Sequence, residues 1–251
     1  MNDIKEMRAV YCESLIELAK DNKNIVVIEA DLMNCIKTGD FKKAYPDRFF
    51  NVGIAEANMA GIAAGMSACG KVPFISSFGP FATRRCYDQL FISVAYSKLN
   101  VKVVGTDPGI CAEVNGGTHM PFEDMGIMRC IPDIVCVEPT DAAQLKSLMP
   151  QIAAHKGLVY VRLYRKCSPK VYEEGDKFDL FKAKEISLGS DITIIASGIM
   201  VDRALQAAKL LKDEGIDAGV TNIHTWKPID KEAVIGAVKR SGAIVVAENH
   251  N

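Results

Sequence analysis

An excess of charge of either sign is missing: 30 Lys plus Arg stand against 31 Asp plus Glu, a formal net charge of −1. That balance excludes the electrostatic footprint of a nucleic-acid or polyanion binder. No run of about 18 or more apolar residues occurs, the length a spanning helix needs. The start, Met1-Asn2-Asp3-Ile4-Lys5-Glu6, has no signal-peptide core, so a cytoplasmic protein is expected. The eight cysteines (12, 35, 69, 86, 111, 130, 136, 167) form no Cys-x-x-Cys pair, which argues against zinc and dithiol redox motifs. Most sit in apolar context and read as small core residues. No internal repeat or low-complexity segment is evident.

What is present is a chain of 251 residues in which short β-branched runs alternate with helical patterns. The strands expected are Ile25 to Glu29, Val72 to Ser76, Val101 to Thr106, Ile134 to Val137 and Leu158 to Arg162. Helices are expected near 3–20, 55–69, 83–97, 121–129 and 140–155, the last capped by Thr140. Such alternation predicts an α/β fold, a doubly wound, mostly parallel sheet, over residues 1–170. A polar stretch from Lys166 to Lys177, with Pro169, Gly175 and six charges, reads as a linker, and the join is placed at 171–185. A second α/β pattern fills 186–251: strand Ile192 to Ala196, helix Val201 to Glu214, strand Ala218 to Asn222, helix Asp230 to Arg240 and strand Ala243 to Ala247. A sheet closing on a strand with no covering helix leaves apolar surface unburied, so this second domain is expected to be truncated.

The stretch Asn51-Val52-Gly53-Ile54-Ala55-Glu56-Ala57-Asn58-Met59 stands out. One carboxylate, Glu56, opens a helix whose next residues, 57 to 69, carry no charge. Gly61 and Gly65 lie four apart, which leaves one helix face nearly bare and open to close backbone approach. Desolvation favours the neutral form of a carboxyl and suits it to proton chemistry. The structural alternative is a carboxylate that offsets the helix dipole.

Taken with Gly70-Lys71-Val72-Pro73-Phe74-Ile75-Ser76-Ser77-Phe78-Gly79-Pro80-Phe81, Tyr87-Asp88-Gln89, Gly116-Gly117-Thr118-His119-Met120-Pro121-Phe122-Glu123-Asp124 and Ile131-Pro132-Asp133, this stretch resembles the pyrimidine-binding domain of thiamine-diphosphate enzymes, transketolase in particular. The resemblance is clear over residues 1 to about 170 and weaker from 180 to 251. Together the segments look like the C-terminal half of a transketolase made as two subunits.

The resemblance implies roles by position. Glu56 matches the glutamate that donates to N1′ of the cofactor's aminopyrimidine, so that the 4′-imino nitrogen can take the proton from the thiazolium C2. Phe78 and Phe81 match aromatics that pack on this ring, with core packing as the alternative, and Ile54 is a further cofactor contact. Phe74 reads as plain core. His119 matches a histidine near the reactive carbon and the donor sugar. Asn115 stands where the family often carries an aspartate that contacts a sugar hydroxyl. Ala57 replaces a larger polar residue of the motif. Arg162 and Arg165, at a strand's C-terminal end, fit a sugar-phosphate contact, Arg165 the better of the two, against a solvated basic cluster with Lys166 and Lys170. Arg84-Arg85 read as surface or interface residues, and His155, His224 and His250 have no supporting motif.

The family holds Mg²⁺ and the diphosphate with Gly-Asp-Gly followed by Asn. No such motif occurs: Glu174-Gly175-Asp176-Lys177 lacks the second glycine. This chain is therefore expected to contribute no metal ligand, and an N-terminal transketolase subunit is expected to hold thiamine diphosphate and Mg²⁺ jointly with it, in a dimer or α₂β₂ assembly acting on sugar phosphates. Rival readings are a 1-deoxyxylulose-5-phosphate synthase, the β subunit of a 2-oxoacid dehydrogenase, and a non-catalytic regulatory paralogue.

Overall fold

The computed structural model describes residues 5–250. The chain opens with α1 (Met7–Asp21) and β1 (Ile25–Glu29), then short α2 (Met33–Ile36) and α3 (Gly39–Ala44), β2 (Phe49–Asn51), α4 (Glu56–Ala68), β3 (Val72–Phe78), α5 (Gly79–Ala82) and β4 (Lys102–Thr106). Next come α6 (Asp124–Arg129), β5 (Val135–Val137), α7 (Ala142–Ala154) and β6 (Val159–Leu163). Then follow β7 (Lys184–Ser187), β8 (Ile192–Ala196), α8 (Met200–Asp213), β9 (Ala218–Asn222), β10 (Thr225–Lys227), α9 (Lys231–Ser241) and β11 (Ile244–Ala247).

Among the described residues the first sheet has seven strands in the order β10-β5-β6-β4-β3-β1-β2, parallel except for β10. Strands β1, β4, β5 and β6 are buried along their whole length because both faces of the sheet are covered there. Successive side chains point to opposite faces. Ile25, Val27 and Phe74 therefore enter one core with α1 and α7, whereas Ile28 and Ile75 enter a second with Met59, Ala60 and Ala63 of α4. Full burial of each such large side chain contributes about 1.5–3 kcal/mol. The second sheet, β11-β8-β9-β7, is parallel apart from β7, and α8 packs on it. Ile244, Val245 and Val246 on its edge strand β11 are exposed. The α/β class with a mostly parallel first sheet and a second α/β unit is as the sequence indicates.

Several local expectations are corrected. The 83–97 helix is a 3₁₀ turn, Arg84–Cys86, followed by a π-helix, Gln89–Tyr96. Helix α6 begins only at Asp124. The cap of α7 is Asp141, whose carboxylate accepts from Gln144 N–H at 2.9 Å, while the Gln144 side chain accepts from Thr140 N–H. The stretch 171–185 between the two units is packed down, with Tyr172, Phe178 and Leu180 buried in the α1–α7 core. Polar spacing hid those three apolar anchors. β10 also crosses back to pair with β5.

Candidate functional site

The site forms at the C-terminal edge of the first sheet, where ligands of open α/β sheets gather. Asn51 Oδ1, at the end of β2, accepts from the backbone N–H of Asp31 at 3.0 Å and of Gly53 at 3.1 Å. Gly53 then turns with φ 76°, a value glycine adopts without strain. This turn leaves Ile54 exposed and carries Glu56 to the first position of α4, where it is only 2% exposed. The positive end of the helix dipole favours a carboxylate there.

β3 delivers the aromatic wall. Phe78 ends the strand, and Pro80 presets the first turn of α5, bringing Phe81 back beside it. A side chain at Gly79 would meet Pro121 at 2.5 Å, so only glycine allows this turn to close against the next loop. The Phe78 and Phe81 rings lie 6.1 Å apart, edge to face. His119 stands 5.2 Å from Phe78 and 5.1 Å from Phe81, also edge-on, and its Nδ1 lies 2.8 Å from the Thr118 hydroxyl.

Arg85 joins this cluster to Glu56. Its Nη1 donates to both carboxylate oxygens, at 3.0 and 3.1 Å, and its guanidinium lies 3.9 Å from the centre of the Phe81 ring. Sequence reasoning gave Arg85 no role; the available signal was an arginine pair directly before Tyr87-Asp88-Gln89, which reads equally well as a solvated surface. Arg84 turns elsewhere, to Glu123 at 2.7 Å.

Arg165 lies on the other flank, 5.1 Å from the centre of Phe78, with Nε 3.1 Å from Asp107. Asp107 is fully buried with φ 60°. Burial raises its pKa above the ordinary carboxylate value, against the pull of Arg165. Asn115 is exposed, four residues before His119.

Arg162 does not belong with this cluster, which corrects the expectation that it meets a phosphate. Its side chain is fully buried, with Nε on Asp124 at 2.9 Å, Nη1 on Glu138 at 2.8 Å, and Nη2 on the carbonyls of Pro121 and Asn249. Burial opposes its charge, but Glu138 and Asp124 outweigh that and hold its pKa above the ordinary value. β6 is covered on both faces, so alternate positions bury even an arginine, and only Arg165, past the strand end, reaches the edge. The network continues through Glu138 to the Ser197 hydroxyl and Trp226 Nε1, joining the two sheets. Asn249 also donates to the Pro108 carbonyl at 2.8 Å and accepts from Ile110 N–H at 3.2 Å. His250 Nε2 accepts from Gly126 N–H at 3.0 Å. The second domain thus holds the loop that leads to His119.

Residues 4–170 match the model of the transketolase pyrimidine binding domain, and residues 182–251 that of the transketolase C-terminal domain. The chain belongs to the transketolase family. It is 51% identical over 243 residues to the 6-deoxy-6-sulfo-D-fructose transketolase subunit SqwH of Clostridium sp. (strain MSTE9), covering 97% of this chain and 76% of that one. It is 36% identical over 251 residues to an apulose-4-phosphate transketolase subunit of Phocaeicola vulgatus, covering 100% of this chain and 80% of that one. A split-gene transketolase, solved as an inactive β4 tetramer, superposes with a TM-score of 0.91 at 42% identity, covering 98% of this chain and 80% of that one. The likeness to each of these transketolase chains runs across both domains. Among the described residues no three or more His, Cys, Asp or Glu side chains are grouped to hold a metal ion, and no helix is long and apolar enough to cross a membrane.

Proposed function

We propose that this chain is the pyrimidine-binding subunit of a split transketolase that moves a two-carbon ketol unit between sugar phosphates. It works with an N-terminal subunit that supplies the diphosphate and Mg²⁺ ligands. The observation that carries this reading is the pairing of a buried carboxyl, Glu56, with an aromatic wall of buried Phe78 and half-buried Phe81, bridged through Arg85. A flat group bearing N–H donors already fits between Glu56 and Phe81, since the Arg85 guanidinium lies there. The residues present therefore suit the aminopyrimidine of thiamine diphosphate. When bound, that cofactor supplies the nucleophilic carbon that accepts the ketol unit.

Glu56, only 2% exposed, would donate to the ring nitrogen N1′. Phe78, Phe81 and Ile54 hold the ring and exclude solvent; offset or edge contacts of this kind are worth about 0.5–1.5 kcal/mol beyond burial. His119, backed by Thr118 and the two phenylalanines, offers a ring nitrogen to a substrate hydroxyl or carbonyl. Asn115 is a neutral partner for a sugar hydroxyl. Arg165, anchored by Asp107, presents its remaining guanidinium N–H groups to the anionic end of the sugar.

Two relatives are named as transketolase subunits for a sulfosugar and for apulose 4-phosphate, and donors with a terminal anion are the natural class to assay. The solved relative is a β4 tetramer described as inactive, which supports self-association of this chain and activity only in an αβ assembly. The exposed Gly61 and Gly65 on α4 suit such a close contact.

The test is Glu56→Gln in the enzyme reconstituted with its partner. Ketol transfer should fall by roughly 10²–10⁴-fold, the usual worth of a positioned proton donor, with an unchanged circular dichroism spectrum. Near-normal turnover at saturating cofactor refutes the assignment.

A further inference from the structure

Resting on that reading, the structure poses a conflict at Glu56. The proposed role needs the carboxyl free to face the ring, yet both its oxygens accept from Arg85 Nη1, at 3.0 and 3.1 Å. The same guanidinium lies 3.9 Å from the centre of the Phe81 ring, in face contact. A carboxylate partner and an aromatic face are the two contacts the aminopyrimidine itself would make.

We propose that Arg85 is an internal stand-in for the cofactor ring: it occupies Glu56 and Phe81 in the chain without cofactor, and must leave both before the aminopyrimidine can dock.

Local structure permits the exchange. Arg85 belongs to a three-residue 3₁₀ turn, Arg84–Cys86, so no long helix fixes its direction. Its side chain is 46% exposed although its partner Glu56 is 3% exposed. The solvent-accessible member of the pair, the one with room to swing away, is therefore the arginine. An open cleft lined by Pro80, Phe81, Arg84, Gly117 and Thr118 adjoins it and can take the displaced guanidinium. On displacement Glu56 exchanges the guanidinium for the ring as its partner. The guanidinium also keeps the Phe81 face covered when no cofactor is there, which limits exposed apolar surface beside the carboxylate.

The cost to the cofactor follows from the pair being displaced. One end is half exposed, so screening makes the ion pair modest, and the face contact on Phe81 adds a similar amount. Removing Arg85 should therefore tighten cofactor binding by about five- to tenfold. The experiment is titration calorimetry of thiamine diphosphate with Mg²⁺ into the reconstituted αβ enzyme, for wild type, Arg85→Ala, Arg85→Lys, Glu56→Gln and the Glu56→Gln/Arg85→Ala double variant. Kd should fall in Arg85→Ala. Arg85→Lys should lie between, because an ammonium pairs with the carboxylate but cannot lie flat on the ring. In the Glu56→Gln background, with no carboxylate for the arginine, most of the gain should vanish. An unchanged or raised Kd in both Arg85 variants, with melting temperatures within a few degrees of wild type, overturns the proposal. Failure of the underlying reading looks different: Glu56→Gln then keeps its turnover whatever Arg85 does to Kd.

Discussion

Glu29 offers a sharp test of how burial governs this fold. It ends β1 and is fully buried; the Thr38 hydroxyl donates to Oε1 at 2.7 Å, and Oε2 has no hydrogen-bond partner among the described residues. Burial pushes its pKa from 4.5 up to about 8, against a smaller downward pull from Thr38. In the unfolded chain the carboxyl ionises near 4.5, whereas in the folded protein it stays protonated to about 8. Folding therefore holds one more proton between these values, and stability falls as pH rises through that window, then levels off above it. At about 1.4 kcal/mol per pH unit, the loss reaches about 3 kcal/mol by pH 7 and about 5 kcal/mol above pH 8. Glu29→Gln keeps the shape and the acceptor for Thr38 but cannot ionise. Its amide N–H₂ replaces a carboxyl O–H that also lacks an acceptor, so the variants should differ chiefly in slope. Urea unfolding from pH 5 to 8.5 should show the wild-type midpoint declining relative to the variant across that range. Parallel pH profiles for the two proteins refute the argument.

Arg162→Ala should cost about 3–5 kcal/mol, because it strands Asp124 and Glu138 as buried unpaired charges; a melting temperature near wild type would show that the network relaxes without it. His119→Ala should leave the melting temperature nearly unchanged, since the residue is only half-buried on a loop, while kcat/KM for ketol transfer falls by about tenfold or more. A large stability loss with unaltered kinetics would make it a packing residue.

The alternating β-branched and helical runs sufficed for the α/β class, because strands such as Ile25 to Glu29 are apolar on both faces and nothing but a doubly covered sheet buries them. The spacing of glycines and the lone acid at the head of α4 likewise marked Glu56 as singular. Position along the chain could not separate Arg162 from Arg165: they lie three residues apart, yet β6 ends between them, so one is sealed inside and the other faces the site edge. Arg85 was equally illegible. Its partner Glu56 is 29 residues away, and only the packing of the Arg84–Cys86 turn against α4 brings the two together. The buried apolar anchors of 171–185 and the return of β10 to the first sheet are also matters of long-range contact. Local patterns specify which residues must be buried; only the folded chain specifies which polar groups are buried with them, because that depends on which distant charges arrive to pair with each.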